Sequence, residues 1–257
     1  MYFPSSAFLY ASLALVAPVL ACGKKQKVTK LDVDFSTFAS SGKSLVSFLN
    51  QHELYVSGYQ VGSEPLAHTF VKDNVDVQNG ALRLKVDGQS GEGDVKSAEI
   101  ATFASNIRYG TFTTVAKLTP VPGICAGFFT YTDDNNEIDI EALSSYYTKG
   151  YGYSVQPGLE FTNQALKPGQ KSTNTAVAYN FDPTADFHNY TIVWSAGKSK
   201  FYVDGKLRTT FTKNVPKVGA SFLWNAWSNG DVNWSAGPPT EDAYTLIKEI
   251  HLSYATV

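Results

Sequence analysis

The chain has 257 residues, 43% hydrophobic and only 17% charged, which is ample for a buried core and excludes a disordered polymer. Its formal charge of −2 leaves no basic footprint for nucleic acid, and its 4 His and 2 distant Cys fit no common zinc pattern. An aromatic share of 14% together with 20 Gly points to strands and turns.

The first element is an apolar run, AFLYASLALVAPVLA, at residues 7–21. At about 15 residues it is shorter than the roughly 20 needed to span a membrane, and Pro18 interrupts it. Val19 and Ala21 are small residues suited to signal-peptidase cleavage before Cys22. No Lys or Arg precedes the run, whereas Lys24, Lys25, Lys27 and Lys30 follow it. An uncleaved anchor and a lipoprotein at Cys22 are the alternatives, disfavoured by the short span and the uncharged leader. The reading is a signal peptide at 1–21, a single domain at 22–257, no membrane partner, and a secreted protein of the extracellular space or cell wall. The final EIHLSYATV has no hydrophobic tail and so no lipid-anchor signal. In an oxidising compartment Cys22 and Cys125 are candidates for one disulfide, the alternative being that Cys125 is a small buried apolar residue. Asn189-Tyr190-Thr191 and Asn233-Trp234-Ser235 are candidate glycosylation sequons at Asn189 and Asn233.

Beyond the leader, short β-branched and aromatic runs alternate with turn signals. ALRLKV follows Asn79-Gly80, YGTFTTVAKL alternates from Tyr109, HNYTIVW leads through Ser195-Ala196-Gly197 into KFYV, and Asp204-Gly205 turns the chain into KLRTTF. An Asp-Gly pair between alternating runs is a strong hairpin signal. Strands at this spacing, with almost no helical periodicity, predict an all-β sandwich or barrel.

EIDIE, at residues 137–141, puts Glu137, Asp139 and Glu141 on one face of a strand, with Ile138 and Ile140 pointing into a hydrophobic layer. Three acids on neighbouring same-face positions repel one another, which a merely solvated face would avoid by mixing in Lys, Thr or Ser. A calcium ion would draw oxygens more commonly from a loop than from a flat strand. Crowded carboxyls cannot all ionise easily, so one keeps a proton near neutral pH while another stays charged. That supplies the acid and the nucleophile that glycoside cleavage requires.

The motif resembles the E-I-D-I-E signature of glycoside hydrolase family 16, in the form of the lichenases and related β-glucanases. GICAGFFTYT, VDVQNGALRLKV, SAEIATFASNIRYGTF, FHNYTIVW with FYVDGKL, and WNAWSNGDVNW resemble further stretches of that family, in its order, over most of the chain after about residue 65. The resemblance implies a jelly-roll β-sandwich of the concanavalin A-like kind, in a secreted, fungal-type member that cleaves β-1,3 or β-1,4 bonds of β-glucan with retention. It implies Glu137 as nucleophile, Glu141 as general acid/base and Asp139 as the residue that orients and tunes them. Glu99 matches a glutamate that hydrogen-bonds sugar hydroxyls. Phe129, Tyr131, Asn225, Trp227 and Trp234 match residues that line the glucan groove. Trp194, Trp224, Phe112 and Phe201 are expected in the core, His188 as a structural residue, and Tyr146 and Tyr147 as weaker groove candidates. Asn135 and Asn136 stand where the family commonly has Trp or Asp, and Ala101 where it often has Arg, so linkage preference is left open.

A β-glucan polysaccharide is therefore the expected partner of a monomeric enzyme without cofactor, a structural calcium ion being the one left open. A transglycosylase that remodels cell-wall glucan or chitin, and a non-catalytic lectin on the same sandwich, are the alternatives.

Overall fold

The computed structural model describes residues 27–62, 64–89, 93–147 and 157–257. The expected leader and Cys22 lie outside the described residues. The strands in the first half are β1 (Val28–Asp34), β2 (Leu54–Val56), β3 (Gln60–Val61), β4 (His68–Phe70), β5 (Val75–Gln78), β6 (Ala81–Val86), β7 (Val95–Thr102) and β8 (Ile107–Lys117). Then come β9 (Cys125–Tyr131), β10 (Glu137–Leu143), β11 (Leu159–Asn163), β12 (Thr173–Val177) and β13 (His188–Ser195). The last are β14 (Lys198–Val203), β15 (Lys206–Phe211), β16 (Ser221–Trp227) and β17 (Ala243–Thr256).

Two large sheets result. One runs β15-β14-β13-β8-β17-β6-β5, with β1 also on β17; the other runs β12-β11-β10-β9-β16-β7-β4-β3, with β2 also on β7. The expected all-β sandwich is what forms. Two of its hairpins turn where the sequence signals them, with Asn79-Gly80 at φ 54 and 75 and Asp204-Gly205 at φ 49 and 72. Positive φ at both central positions twists the chain in the sense the flanking strands need.

Inward-facing aromatics hold the sheets together. Phe112 stacks on Phe222 at 4.8 Å, Phe128 meets Tyr190 at 5.5 Å, and Phe161 meets Phe201 at 5.0 Å, each pair joining one sheet to the other. Trp224 is fully buried and its indole N–H donates across the sandwich to Thr114 Oγ1 at 2.7 Å. Trp194 is equally buried and donates to the Pro216 carbonyl at 3.2 Å, so neither ring leaves a polar atom unmet. Burying each such ring contributes about 1.5–3 kcal/mol. These four core expectations hold.

The alternating pattern did not anticipate a helix at Leu45–Gln51, capped by the Ser44 side chain, which accepts from Ser47 N. It buries Phe48 and Leu49, which join the hydrophobic core. Its apolar residues are too few to set a helical period, and the cap starts it instead.

Candidate active site

β10 lies inside its sheet between β9 and β11, so its alternation is fixed on both sides. Ile138 and Ile140 are buried between the sheets, and Glu137, Asp139 and Glu141 share the opposite face. A one-residue slip would exchange the two sets, and the burial of both isoleucines forbids it.

Register aligns the neighbouring strands into rows across that face. One row reads Glu160, Glu141, Gly127, Asn225 and Glu99, contributed by β11, β10, β9, β16 and β7. The next reads Thr162, Asp139, Phe129, Leu223, Ala101 and Tyr55. Glu137 stands opposite Tyr131, and Trp227 opposite Cys125. The fold thus gathers Glu99, Phe129, Tyr131, Glu137, Asp139, Glu141, Asn225 and Trp227 on one face. Trp234 joins them from the loop after β16, where its indole hydrogen-bonds the Glu141 carboxyl.

Gly127 occupies the middle of the first row. A Cβ there would come within 2.6 Å of Asn225 Oδ1, so only glycine leaves the space between Glu141 and Asn225 open. Nothing in the sequence pattern marked it.

All three acids of β10 bind protons more tightly than free carboxyls. Burial is the largest cause for Glu137, pushed up to about 8; a hydrogen bond with Asp139 opposes it, and the charges of Glu141, Asp134 and Asp133 add to it. Asp139 is raised well above its ordinary range by burial and by the charges of Glu137 and Glu141. Its interaction with Glu137 stabilises the neutral form of Asp139 and the charged form of Glu137, so the proton between them belongs on Asp139. Gln164 Nε2 also donates to Asp139 Oδ2, at 3.3 Å. Glu141 is raised by burial but drawn back by two donors, the Cys125 thiol at 3.3 Å and the Trp234 indole. Repulsion was expected to divide the two glutamates, and the aspartate between them is raised as well.

Cys125 is a free, buried thiol. Its Sγ faces the acids and hydrogen-bonds Glu141, and its complete burial fits the alternative of a small buried residue. Cys22 itself lies outside the described residues.

Glu99 is only 1% exposed and accepts from Ser57 Oγ at 2.7 Å, Tyr59 Oη at 2.9 Å and Asn225 Nδ2 at 3.4 Å. Burial raises its pKa and these donors oppose the rise. It therefore anchors Tyr59 and Asn225 beside the face that carries the acids. Trp227 is half-buried and stacks on His68 at 4.9 Å, the burial of that imidazole lowering its pKa to about 4. Phe129 and Tyr131 pack edge to face at 6.3 Å, and the Tyr131 hydroxyl donates to Asp134. Tyr55 and Phe103 form a further ring pair at 5.3 Å, 37% and 51% exposed, at the β7 end of the second row. Sequence reasoning missed Ser57, Tyr59, Tyr55, Phe103, Gln164 and Glu160, because each is tied to the acids by cross-strand register or by a loop.

Other expected residues lie elsewhere. Tyr147 sits in a short helix, Ser144–Tyr147, and packs on Tyr179 against the core, not in the groove. His188 bonds Asp204 Oδ2 at 2.8 Å on the other sheet, as a structural residue should. Asn189 is half-buried within β13, and Asn233 is exposed in the loop carrying Trp234. No group of three or more His, Cys, Asp or Glu is arranged to hold a metal ion among the described residues.

This arrangement can be set beside known proteins. Residues 63–242 match the family model described as Glycosyl hydrolases family 16. The chain belongs to that family. A β-glucanase of Paenibacillus polymyxa is 30% identical over 175 residues, covering 64% of this family 16 chain and 66% of the relative. A probable xyloglucan endotransglucosylase/hydrolase of Arabidopsis thaliana, protein 21, is 33% identical over 185 residues, covering 63% and 55%. The chain spans about half to two thirds of the length of the first curated relatives it matches, 66%, 50% and 52% of three β-glucanases. A solved lichenase from a mouse hindgut metagenome superposes with TM-score 0.66 at 20% identity, over 89% of this chain and 100% of that one, and so shares the fold.

Two departures from the family pattern have structural explanations here. Asn135 and Asn136 serve the turn before β10, donating to the Ala165 carbonyl and to Asp133 respectively. Ala101 lies between Leu223 and Tyr55 in the second row, where a longer side chain would compete with the Tyr55 ring.

Proposed function

We propose that this family 16 protein is a secreted, endo-acting hydrolase of β-1,3 or β-1,4 linkages in β-glucan, working with retention through a covalent glycosyl-enzyme. The carrying observation is the set of carboxyls on β10, each with its own partners: Asp139 against Glu137 and Gln164, and Glu141 against Cys125 and Trp234.

In the first step a Glu137 carboxylate oxygen bonds to the anomeric carbon while Glu141 gives its proton to the departing glycosidic oxygen. Asp139 keeps its proton and turns it toward Glu137, which holds that carboxylate in place and lowers the cost of its charge. In the second step water attacks the anomeric carbon, its proton passes to Glu141, and the Glu137 ester bond breaks with Glu137 leaving as carboxylate. Trp227, Phe129 and Tyr131 offer apolar ring surface to the C–H faces of pyranose rings, and Asn225 offers hydrogen bonds to hydroxyls. A transglycosylase is the second reading, supported by the Arabidopsis relative; there a sugar hydroxyl replaces water in the second step.

Incubation with barley mixed-linkage glucan, laminarin and chitin oligosaccharides, followed by mass spectrometry, separates these readings. Shortened products are expected; lengthened ones would favour transfer. Glu137→Gln should abolish turnover and leave the thermal melt unchanged. Binding without any product change, the same in Glu137→Gln, would leave a lectin and refute both enzyme readings.

A further inference from the structure

The row through Glu141 ends on a carboxyl that the proposed reaction does not use. Glu160 stands directly opposite Glu141 across the β10–β11 pair, on the same face of the sheet. Directly opposed residues on one face have their Cβ atoms about 4.5–5.5 Å apart, within reach of two glutamate side chains. Glu160 is 6% exposed, and its Oε1 is buried without a hydrogen-bond partner. On its other side, β12 places Ala176 opposite it, which offers neither donor nor charge.

We propose that Glu160 is a positioning residue for the proton of Glu141, the two carboxyls forming a pair that shares one proton around neutral pH. This rests on the hydrolase reading above.

A like-charged pair facing each other in a buried row cannot lose both protons easily, and a neutral pair would leave a carboxyl oxygen unsatisfied. One proton between the two is the compromise. The surroundings agree. From β10 the acids facing the pair are Glu141 itself and Asp139; from β9 comes the uncharged Cys125 thiol, and from the loop after β16 the neutral Trp234 indole. Tyr179 lies near enough to feel the charge of Glu160. No Lys, Arg or His pairs with Glu160 among the described residues. Burial and then the charge of Glu141 push the Glu160 carboxyl up to about 7, which puts its titration where an enzyme of neutral pH works. When Glu141 needs its proton for the leaving oxygen, a charged Glu160 favours that state. In the glycosyl-enzyme both carboxyls are charged, and the charge of Glu160 then makes Glu141 the stronger base toward water. The proton count of the pair is one before the first step, zero in the glycosyl-enzyme and one again after water is consumed.

The test is the pH dependence of kcat/KM on barley mixed-linkage glucan for the wild type, Glu160→Gln and Glu160→Asp. The wild-type basic limb should fall over a broad range, because loss of the first proton leaves part of the population with Glu141 protonated. In Glu160→Gln that limb should steepen and move down by about half a pH unit or more, while Glu160→Asp, which keeps the charge, should stay close to wild type. A basic limb in Glu160→Gln superimposable on wild type would overturn the proposal, as would equal displacement in both variants. The unmutated protein labelled with carboxyl-13C glutamate provides a reading that needs no variant. Two glutamate carboxyls should each titrate in two steps, and single-step titration throughout would overturn the pairing. Failure to cleave any β-glucan would refute the hydrolase reading instead, and the titration would still report on the pair.

Discussion

Glu99 and Glu160 stand at opposite ends of the same row, 1% and 6% exposed, and burial raises the proton affinity of both. Yet Glu99 accepts three hydrogen bonds, from Ser57, Tyr59 and Asn225, whereas Glu160 has an orphaned oxygen and an acid for its opposite. The same residue type in the same kind of position therefore does two jobs. Where donors surround a buried carboxylate, it becomes an anchor that fixes its donors. Where none do, its charge stays costly, and its effect is exerted on the group it faces.

The largest effect should come from breaking the satisfied end. Glu99→Ala removes the shared acceptor of Ser57, Tyr59 and Asn225 and opens a hole beneath them, so a stability loss of about 2–4 kcal/mol is expected. Activity should fall with it, because Asn225 and Tyr59 lose their orientation. Chemical denaturation alongside KM measures both. A variant of wild-type stability would mean that the three bonds anchor nothing.

The centre of the row comes next. Gly127→Ala drives a methyl group against Asn225 Oδ1 without touching either glutamate. Asn225 must move, and kcat/KM should drop about tenfold, roughly 1.4 kcal/mol of transition-state binding, mostly through KM. An unchanged KM would show that Asn225 makes no contact with the substrate.

The unsatisfied end should respond in the opposite sense to Glu99. A carboxyl whose folded pKa is raised from 4.5 to about 7 costs nothing while both states are protonated. Its penalty grows as pH rises from the unfolded value through the folded one, and is constant above that. Glu160→Gln should therefore match wild-type stability near pH 4 and exceed it well above pH 7, by up to about 3 kcal/mol. Urea melts across that range read the difference directly. Destabilisation at high pH would place Glu160 with Glu99 as an anchor.

How much of this contrast was legible beforehand follows from what strand periodicity encodes. EIDIE shows its acid face in the chain itself, since alternation within one strand fixes which side chains share a side. Trp194, Trp224, Phe112 and Phe201 declared themselves as core in the same way. What lies across the strand is set by register, which no single strand carries. Glu160, Thr162 and Gln164 alternate in LEFTNQ as plainly as the acids of β10 do, but only the pairing of Glu141 with Glu160 gives that alternation a meaning. Two of the three donors to Glu99 come from about forty residues away, on the chain around β2, and the third, Asn225, from β16, connections that only folding makes. The contacts of Cys125 were hidden for a related reason. Secretion suggests disulfides, and the orientation of its sulfur toward Glu141 depends on the register of β9.

A third pair isolates what burial adds to the Glu141–Glu160 geometry. Asp32 on β1 and His251 on β17 are likewise directly opposed across an antiparallel pair, on the other sheet. Here the signs are opposite and water is present, the side chains being 64% and 44% exposed. Burial works against the imidazolium, but hydrogen bonds to Asp32 at 2.9 Å and Glu249 at 3.0 Å prevail and raise its pKa above 6.5. A raised histidine contributes stability that is fully present below its unfolded pKa and is lost as pH rises through its folded one. His251→Gln should thus lower stability at pH 5 and leave it unchanged at pH 9. Solvent screens an exposed pair, so the pH 5 loss should not exceed about 0.5 kcal/mol. If His251→Gln at pH 5 matched the size of the Glu160→Gln effect above pH 7, cross-strand opposition alone would set the energy. A clear gap between them would assign the difference to burial, which is the property that makes Glu160 act on Glu141.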